Sequence, residues 1–359
     1  MLGDDGDMTL AKRLLAWYRG NARLLPWRSE PRDPYLVLVS ELMLQQTQVD
    51  RVLDRFEAFV AAYPDLATLA AATEEEVLAA WSGLGYYRRA RMLHHLAREV
   101  RAGTGALPTS AAELAELPGV GPYTAAAVAS LAFAEAIPVL DGNVLRVASR
   151  VLAFAGDPRT AAGREALLCW LRPLVEEGGP PGLVNEALME LGATVCRPTS
   201  PECAGCPLAP ACRARAEGWP ERYPPPRRRR AELAVTWVAA CCVDAAGRWL
   251  VRQVTEGPIL RGLWLPPIAP LEPGASPEEV ARRLVPGRLR APPQPLAAVR
   301  HSITHRRITV QPFRLALSTR SAASVVGRWV DPASDSVPTS SLFYKLIHSN
   351  ELASSDVGE

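Results

Sequence analysis

Two carboxylates and four thiols stand out in this sequence as groups placed to do chemistry. Glu41 sits in Val39-Ser40-Glu41-Leu42-Met43-Leu44, a stretch so apolar that an acidic residue there is unusual. Burial disfavours the charged form, so this carboxyl is expected to keep its proton near neutral pH and act as a general acid. Asp141 sits in Val139-Leu140-Asp141-Gly142-Asn143-Val144, ahead of a helical run, where it suits an N-cap or an ionised catalytic group. A protonated carboxyl beside an ionised one is the pair that glycosidic cleavage requires.

The thiols follow Cys196-x6-Cys203-x2-Cys206-x5-Cys212. Four thiolates this close can surround one metal centre. Structural zinc usually takes two short knuckles and this run has one, whereas iron–sulfur clusters accept varied spacing. The pattern points to a [4Fe–4S] cluster, with zinc and unligated thiols as the alternatives. Cys169, Cys241 and Cys242 have apolar neighbours and read as buried core residues.

A third signal is Leu117-Pro118-Gly119-Val120-Gly121-Pro122-Tyr123-Thr124, followed by the small residues Ala125–Ala129. Backbone N–H groups of Gly119, Val120, Gly121 and Thr124, at a helix N-terminus, could hold a phosphate without a basic side chain. The same residues would also make an ordinary turn between two helices.

These groups need a scaffold, and residues 8–217 read as helical. Asp50–Tyr63, Thr73–Trp81 and Arg88–Arg101 carry apolar residues at spacings of three and four. Thr73 and Glu76 suit a capping box. Residues 218–231 contain Trp219-Pro-Glu-Arg-Tyr-Pro-Pro-Pro-Arg-Arg-Arg-Arg230 and read as a linker. Its Arg227–Arg230 run suits either a phosphate backbone or a solvated tether. Residues 232–350 read as a small α+β domain. Its strands are expected at Leu233–Val243, Trp249–Val254, Ile308–Leu317 and Arg328–Val330, with a helix at Glu278–Val285. Residues 351–359 read as a frayed tail. The fold class expected is multidomain: an all-α domain with a metal-bearing loop, then a small α+β domain.

The 359 residues carry 40 basic and 38 acidic side chains, a net charge of +2. That balance argues against a polybasic arm, so nucleic-acid binding would rest on arranged groups. No run of 18 apolar residues is present and the acidic N-terminus lacks a signal-peptide core, so no membrane span is expected, and the crowded cysteines suit a reducing cytoplasm; a monomer is expected. Lys12 and Lys345 are the only lysines. Any Schiff-base chemistry would have to use one of them.

The hairpin, the Asp after it and the four-cysteine run resemble the endonuclease III, or helix–hairpin–helix, superfamily. Leu25-Pro26-Trp27-Arg28, Ser40-Glu41-Leu42-Met43-Leu44-Gln45-Gln46-Thr47-Gln48-Val49, Trp81-Ser82-Gly83-Leu84-Gly85-Tyr86-Tyr87 and Asp141-Gly142-Asn143-Val144 narrow the resemblance to MutY-type adenine DNA glycosylases. It covers roughly residues 8–350. The resemblance implies flipping and removal of adenine mispaired with 8-oxoguanine or guanine in double-stranded DNA. It implies that Glu41 protonates the base, that Asp141 stabilises the sugar cation, and that Tyr123 and Asn143 orient the carboxylates. Trp27, Arg28, Leu44 and Glu186 would line the adenine pocket. Gln46 and Tyr86 would wedge into the duplex where the adenine leaves, with Thr47 and Leu84 beside them. Bifunctional relatives carry a lysine where this chain has Tyr123, so a monofunctional enzyme leaving an abasic site is expected. An endonuclease III-like lyase on oxidised pyrimidines and a non-catalytic damage sensor are the alternatives.

The C-terminal half resembles the family's Nudix-like domain without the acidic box of Nudix hydrolases, so no nucleotide hydrolysis is expected. The family's Phe-Ser-His loop, which reads 8-oxoguanine, aligns with Ile303, Thr304 and His305. Ile303 departs from it by losing the aromatic ring. An out-of-register reading would give the hydroxyl role to Ser302.

Overall fold

The structure is a computed structural model and describes residues 9–226, 231–257, 259–333 and 337–355. The helices are α1 (Leu10–Asn21), α2 (Pro34–Leu44), α3 (Val49–Ala62), α4 (Leu66–Ala71), α5 (Glu74–Ala80), α6 (Arg88–Ala102), α7 (Ala111–Ala115), α8 (Pro122–Phe133), α9 (Gly142–Val151), α10 (Ala161–Glu177), α11 (Pro181–Thr194) and α12 (Arg213–Ala216). The strands follow: β1 (Leu233–Cys241), β2 (Trp249–Gln253), β3 (Trp264–Leu265), β4 (Ile268–Pro270), β5 (Gln294–Pro295), β6 (Val299–Ile303), β7 (Arg306–Arg314) and β8 (Arg328–Val330). Three further helices are α13 (Pro277–Leu284), α14 (Thr319–Ser324) and α15 (Ser341–Ser355).

The chain divides into two compact units, Met1–Ala71 with Met92–Arg228, and Ala72–Arg91 with Arg229–Glu359. Residues 72–91, which the periodicity groups with the helical half, thus go with the second unit.

In the first unit, α2 decides where the chemistry lies. Asp33 caps it by accepting from Tyr35 N–H at 2.8 Å, and Pro34 opens its first turn. Val37 through Met43 are all buried. A helix apolar on every side has no face for water, and Glu41 is carried inside with it. α8 is likewise buried from Thr124 to Ser130. A separate core gathers Leu14 and Leu15 of α1, Val144 and Val147 of α9, Leu167 and Leu171 of α10, and Leu188 and Leu191 of α11. Glycine lets α11 approach closely. A Cβ on Gly192 would lie 2.6 Å from the Asn143 Cβ, and one on Gly182 would lie 2.8 Å from the Ser130 carbonyl oxygen.

The second unit holds one sheet in the order β4-β1-β7-β5, with β6 also paired to β7, and another in the order β3-β2-β8. β1 and β7 are parallel, with Leu233 opposite Arg306; the other ladders are antiparallel. The capping box of α5 forms as the sequence predicts, with Thr73 and Glu76 exchanging hydrogen bonds.

Three expectations need correction. Cys169 is exposed, because it shares the polar face of α10 with Glu165 and Arg172; Cys241 and Cys242 are buried as expected. The expected tail begins inside a helix, since α15 runs to Ser355. Residues 219–226 are not a free tether. Arg150 donates to the Tyr223 carbonyl at 3.0 Å and Arg159 to the Pro225 carbonyl at 3.1 Å. Arg227–Arg230 lie outside the described residues.

Candidate active site

Glu41, in the last turn of α2, is buried and accepts a hydrogen bond from the Tyr123 hydroxyl of α8. Burial raises its carboxyl to about 7, the Tyr123 bond opposes this, and the negative charges of Asp141 and Glu186 add to it, with Arg28 pulling the other way. Those influences place Asp141, Glu186 and Arg28 within electrostatic reach of Glu41. Tyr123 itself is pushed well above the ordinary tyrosine range by burial and by Glu41, so it stays a donor.

Asp141 is the N-cap of α9. One carboxylate oxygen accepts from Val144 N–H at 2.6 Å and the other from Asn143 Nδ2 at 3.0 Å. Both readings of Asp141 therefore describe the same geometry, because the helix cap is what aims the carboxylate. Burial raises its pKa, while these donors and Arg146 oppose the rise. The segment before it is held by Asn185, fully buried, which accepts from Val139 N–H at 2.9 Å and donates to the Ser130 hydroxyl and the Ile137 carbonyl.

Glu186 is buried on α11, not a surface charge. Its Oε2 accepts from the Tyr18 hydroxyl at 2.9 Å and from Arg32 at 2.8 Å. Arg28 donates to the Arg23 carbonyl at 3.1 Å and to Glu190 at 2.9 Å. Trp27 is buried edge-on against Phe56, 5.1 Å between ring centres, and Leu44 ends α2 half-buried. The turn after α2 presents Gln46, exposed and at φ +59°, with Thr47 half-buried beside it. Leu84 and Tyr86 belong to the second unit. Tyr86 is 46 % exposed under the Arg89 guanidinium, and Leu84 is buried at 2 % exposure.

The hairpin joins α7 to α8 with Gly119 at φ +83°, where a Cβ would lie 2.6 Å from the Met92 Cβ. Val120 is buried and Gly121 is exposed as the N-cap, with no side chain capping the helix. Thr124 is buried and its hydroxyl accepts from Gln45 at 3.1 Å. Lys12 is exposed in the first turn of α1, and Lys345, in the second unit, donates to the Arg300 carbonyl.

The four cysteines line one pocket with Val147, Leu208 and Arg150. Burial pushes the Cys206 thiol up to about 11, and the three other cysteines add to the rise. Arg150 ties the loop down through the carbonyls of Arg197 and Pro198, at 2.6 and 2.9 Å, and lies 3.3 Å from Cys196 Sγ. Among the described residues no three His, Cys, Asp or Glu side chains converge tightly enough for a single metal ion.

In the second unit, Thr304 and His305 form a two-residue turn between β6 and β7, with Ile303 opposite Arg306. Thr304 is exposed at φ +56° and its hydroxyl bonds the Ile303 carbonyl at 2.7 Å. Ile303 is half-buried against the core around Val299 and Leu342; Ser302 is exposed.

Sequence reasoning missed Tyr18, Arg23, Arg32 and Glu190 around Glu186, Arg146 beside Asp141, and Arg150 behind the cysteine loop. The available signal was spacing: Glu190 follows Glu186, and Arg150 follows Arg146, by one helical turn.

Residues 39–173 match the HhH-GPD superfamily of base excision DNA repair proteins. The chain is 35% identical over 391 residues to a Rattus norvegicus adenine DNA glycosylase, covering 92% of this chain and 75% of that one. It is 43% identical over 222 residues to a Mycobacterium tuberculosis adenine DNA glycosylase, covering 61% and 71%. A solved thermostable thymine-DNA glycosylase overlays 58% of this chain and 95% of its own, with 30% identity and a TM-score of 0.53. Within that superfamily of repair enzymes, this chain belongs to the adenine DNA glycosylase family.

Proposed function

We propose that this protein hydrolyses the N-glycosidic bond of adenine mispaired with 8-oxoguanine or guanine in duplex DNA, leaving an abasic site. The observation that carries this reading is Glu41: a buried carboxyl raised to about 7 and hydrogen-bonded by Tyr123, within reach of Asp141. At neutral pH a large share of Glu41 holds its proton. It donates that proton to N7 of a flipped adenine, the C1′–N9 bond breaks, and the base leaves with the bonding electrons. The Asp141 carboxylate, fixed by Asn143 and Val144, stabilises the resulting sugar cation. Glu41, now ionised, takes a proton from the attacking water, which restores the starting state. Trp27, Arg28, Leu44 and Glu186 line the base pocket in this reading. Gln46, Thr47 and Tyr86 act at the duplex, and the hairpin N–H groups hold a backbone phosphate.

Cys196, Cys203, Cys206 and Cys212 would hold a [4Fe–4S] cluster, whose contribution when bound is to fix the loop and its surface rather than to move electrons in hydrolysis. The C-terminal unit, a Nudix-like reader in this proposal, would meet 8-oxoguanine with Thr304 and His305. Tyr123 stands where a lyase has its lysine, which supports the monofunctional reading.

Single-turnover excision on duplexes with adenine opposite 8-oxoguanine, guanine or thymine tests the proposal. The expected order of rates is 8-oxoguanine, then guanine, with thymine slowest. No excision from any of the three would sink it. Strand cleavage before alkali, or an adduct trapped by borohydride, would sink the monofunctional part.

A further inference from the structure

Glu186 and Glu190 lie one turn apart on α11, and Glu190 is fully buried. A buried carboxylate is tolerated only with near-complete hydrogen bonding. Arg23 supplies Glu190 with its side chain at 2.6 and 3.1 Å and its backbone N–H at 3.2 Å, and Arg28 adds a bond at 2.9 Å. This uses one terminal nitrogen of Arg28; the other is bound to the Arg23 carbonyl. Two of the five Arg28 N–H groups are used in this way, and of the rest Nε–H is the one facing Glu186 Oε1, at 3.7 Å, beyond a hydrogen bond. On Glu186, Tyr18 and Arg32 both bind Oε2, so Oε1 is the oxygen with spare capacity. The Arg28 guanidinium also lies 5.6 Å from the centre of the Tyr18 ring.

We propose that Tyr18, Arg32 and Glu190 are positioning residues. Tyr18 and Arg32 occupy one oxygen of Glu186, and Glu190, with the Arg23 carbonyl, fixes the two terminal nitrogens of Arg28, so that Glu186 Oε1 as acceptor and Arg28 Nε as donor remain side by side for the substrate base. The proposal rests on the adenine reading above. Its added content is that selectivity for a base with an exocyclic amino group next to a ring acceptor is set by three residues outside the pocket lining. Adenine's 6-amino donor and N1 acceptor fit such a pair and leave N7 to Glu41, whereas guanine presents O6 and N1–H there, an acceptor and a donor in the reverse order.

The test compares duplexes carrying adenine or purine (the same ring without the 6-amino group) opposite 8-oxoguanine, under single-turnover conditions. Tyr18→Phe removes one oxygen from a packed ring and Arg32→Gln removes a charge at the rim, so both variants are expected to fold; melting curves accompany the rates. Losing a hydrogen bond to the charged Glu186 is expected to slow adenine excision about tenfold. Purine excision is expected to change by less than about twofold, because it makes no use of that acceptor. Arg32→Lys should recover part of the adenine rate. Equal slowing of both bases, or no slowing of either, overturns the proposal while leaving the adenine reading intact. A wild-type protein that removes no adenine overturns both.

Discussion

Glu41 shows how one residue can trade stability for activity. Its folded pKa of about 7 lies above the ordinary 4.5, so the folded state binds this proton more tightly than the unfolded chain does. The stability it contributes is complete below about pH 4.5 and is lost as pH rises to about 7. Glu41→Gln is therefore expected to raise stability at pH 8 by about 1–3 kcal/mol relative to its effect at pH 4. Paired denaturation curves at the two pH values measure this difference. The same variant should abolish excision while duplex binding persists, as read by single-turnover rates beside a binding isotherm. In wild type, excision needs the protonated carboxyl, so its rate should fall about tenfold per pH unit well above pH 7. A profile flat from pH 6 to 9 would remove Glu41 as the acid.

At the scale of elements, the site depends on three close approaches. α11 reaches α9 only because residue 192 has no side chain, and the atoms it would strike belong to Asn143, which holds Asp141. Gly192→Ala is expected to cost about 1–3 kcal/mol by overpacking. It should also slow excision while leaving duplex affinity near wild type, which separates a displaced Asp141 from a lost binding surface. At the hairpin the expected pattern is reversed. Gly119→Ala meets both a φ of +83° and the Met92 side chain and should weaken duplex binding more than it slows excision at saturation, as titrations at several salt concentrations would reveal. The third approach is α2 against α8, where Tyr123 meets Glu41. Periodicity was readable at Asp50–Tyr63, Thr73–Trp81 and Arg88–Arg101, whereas α2 and α8 are buried on every side and show no phase. The hairpin between β6 and β7 was not readable, because β6 is short and its turn carries Thr304 and His305 instead of the usual Gly or Asn.

For the whole molecule, two compact units carry separable duties in the proposed function. His305→Ala should narrow the rate ratio between adenine opposite 8-oxoguanine and adenine opposite guanine, with excision opposite guanine nearly unchanged. A ratio equal to wild type would detach the β6–β7 turn from recognition. Metal analysis of the purified chain should find about four irons and four sulfides per molecule; one zinc per molecule would overturn the cluster assignment. The sequence by itself determined the family, the helical and α+β halves, both carboxylates and the four thiols, because those signals are local: residue type, spacing and periodicity within a few turns. Only the tertiary structure decided that Glu186 is buried, that Tyr18, Arg32 and Glu190 hold it and Arg28 in place, that Cys169 is exposed, and that residues 72–91 group with the C-terminal strands. Tyr18 and Glu186 are 168 residues apart. No local pattern records such a pairing, because it arises only when α1 and α11 pack around a common core and each buried charge must find its partners.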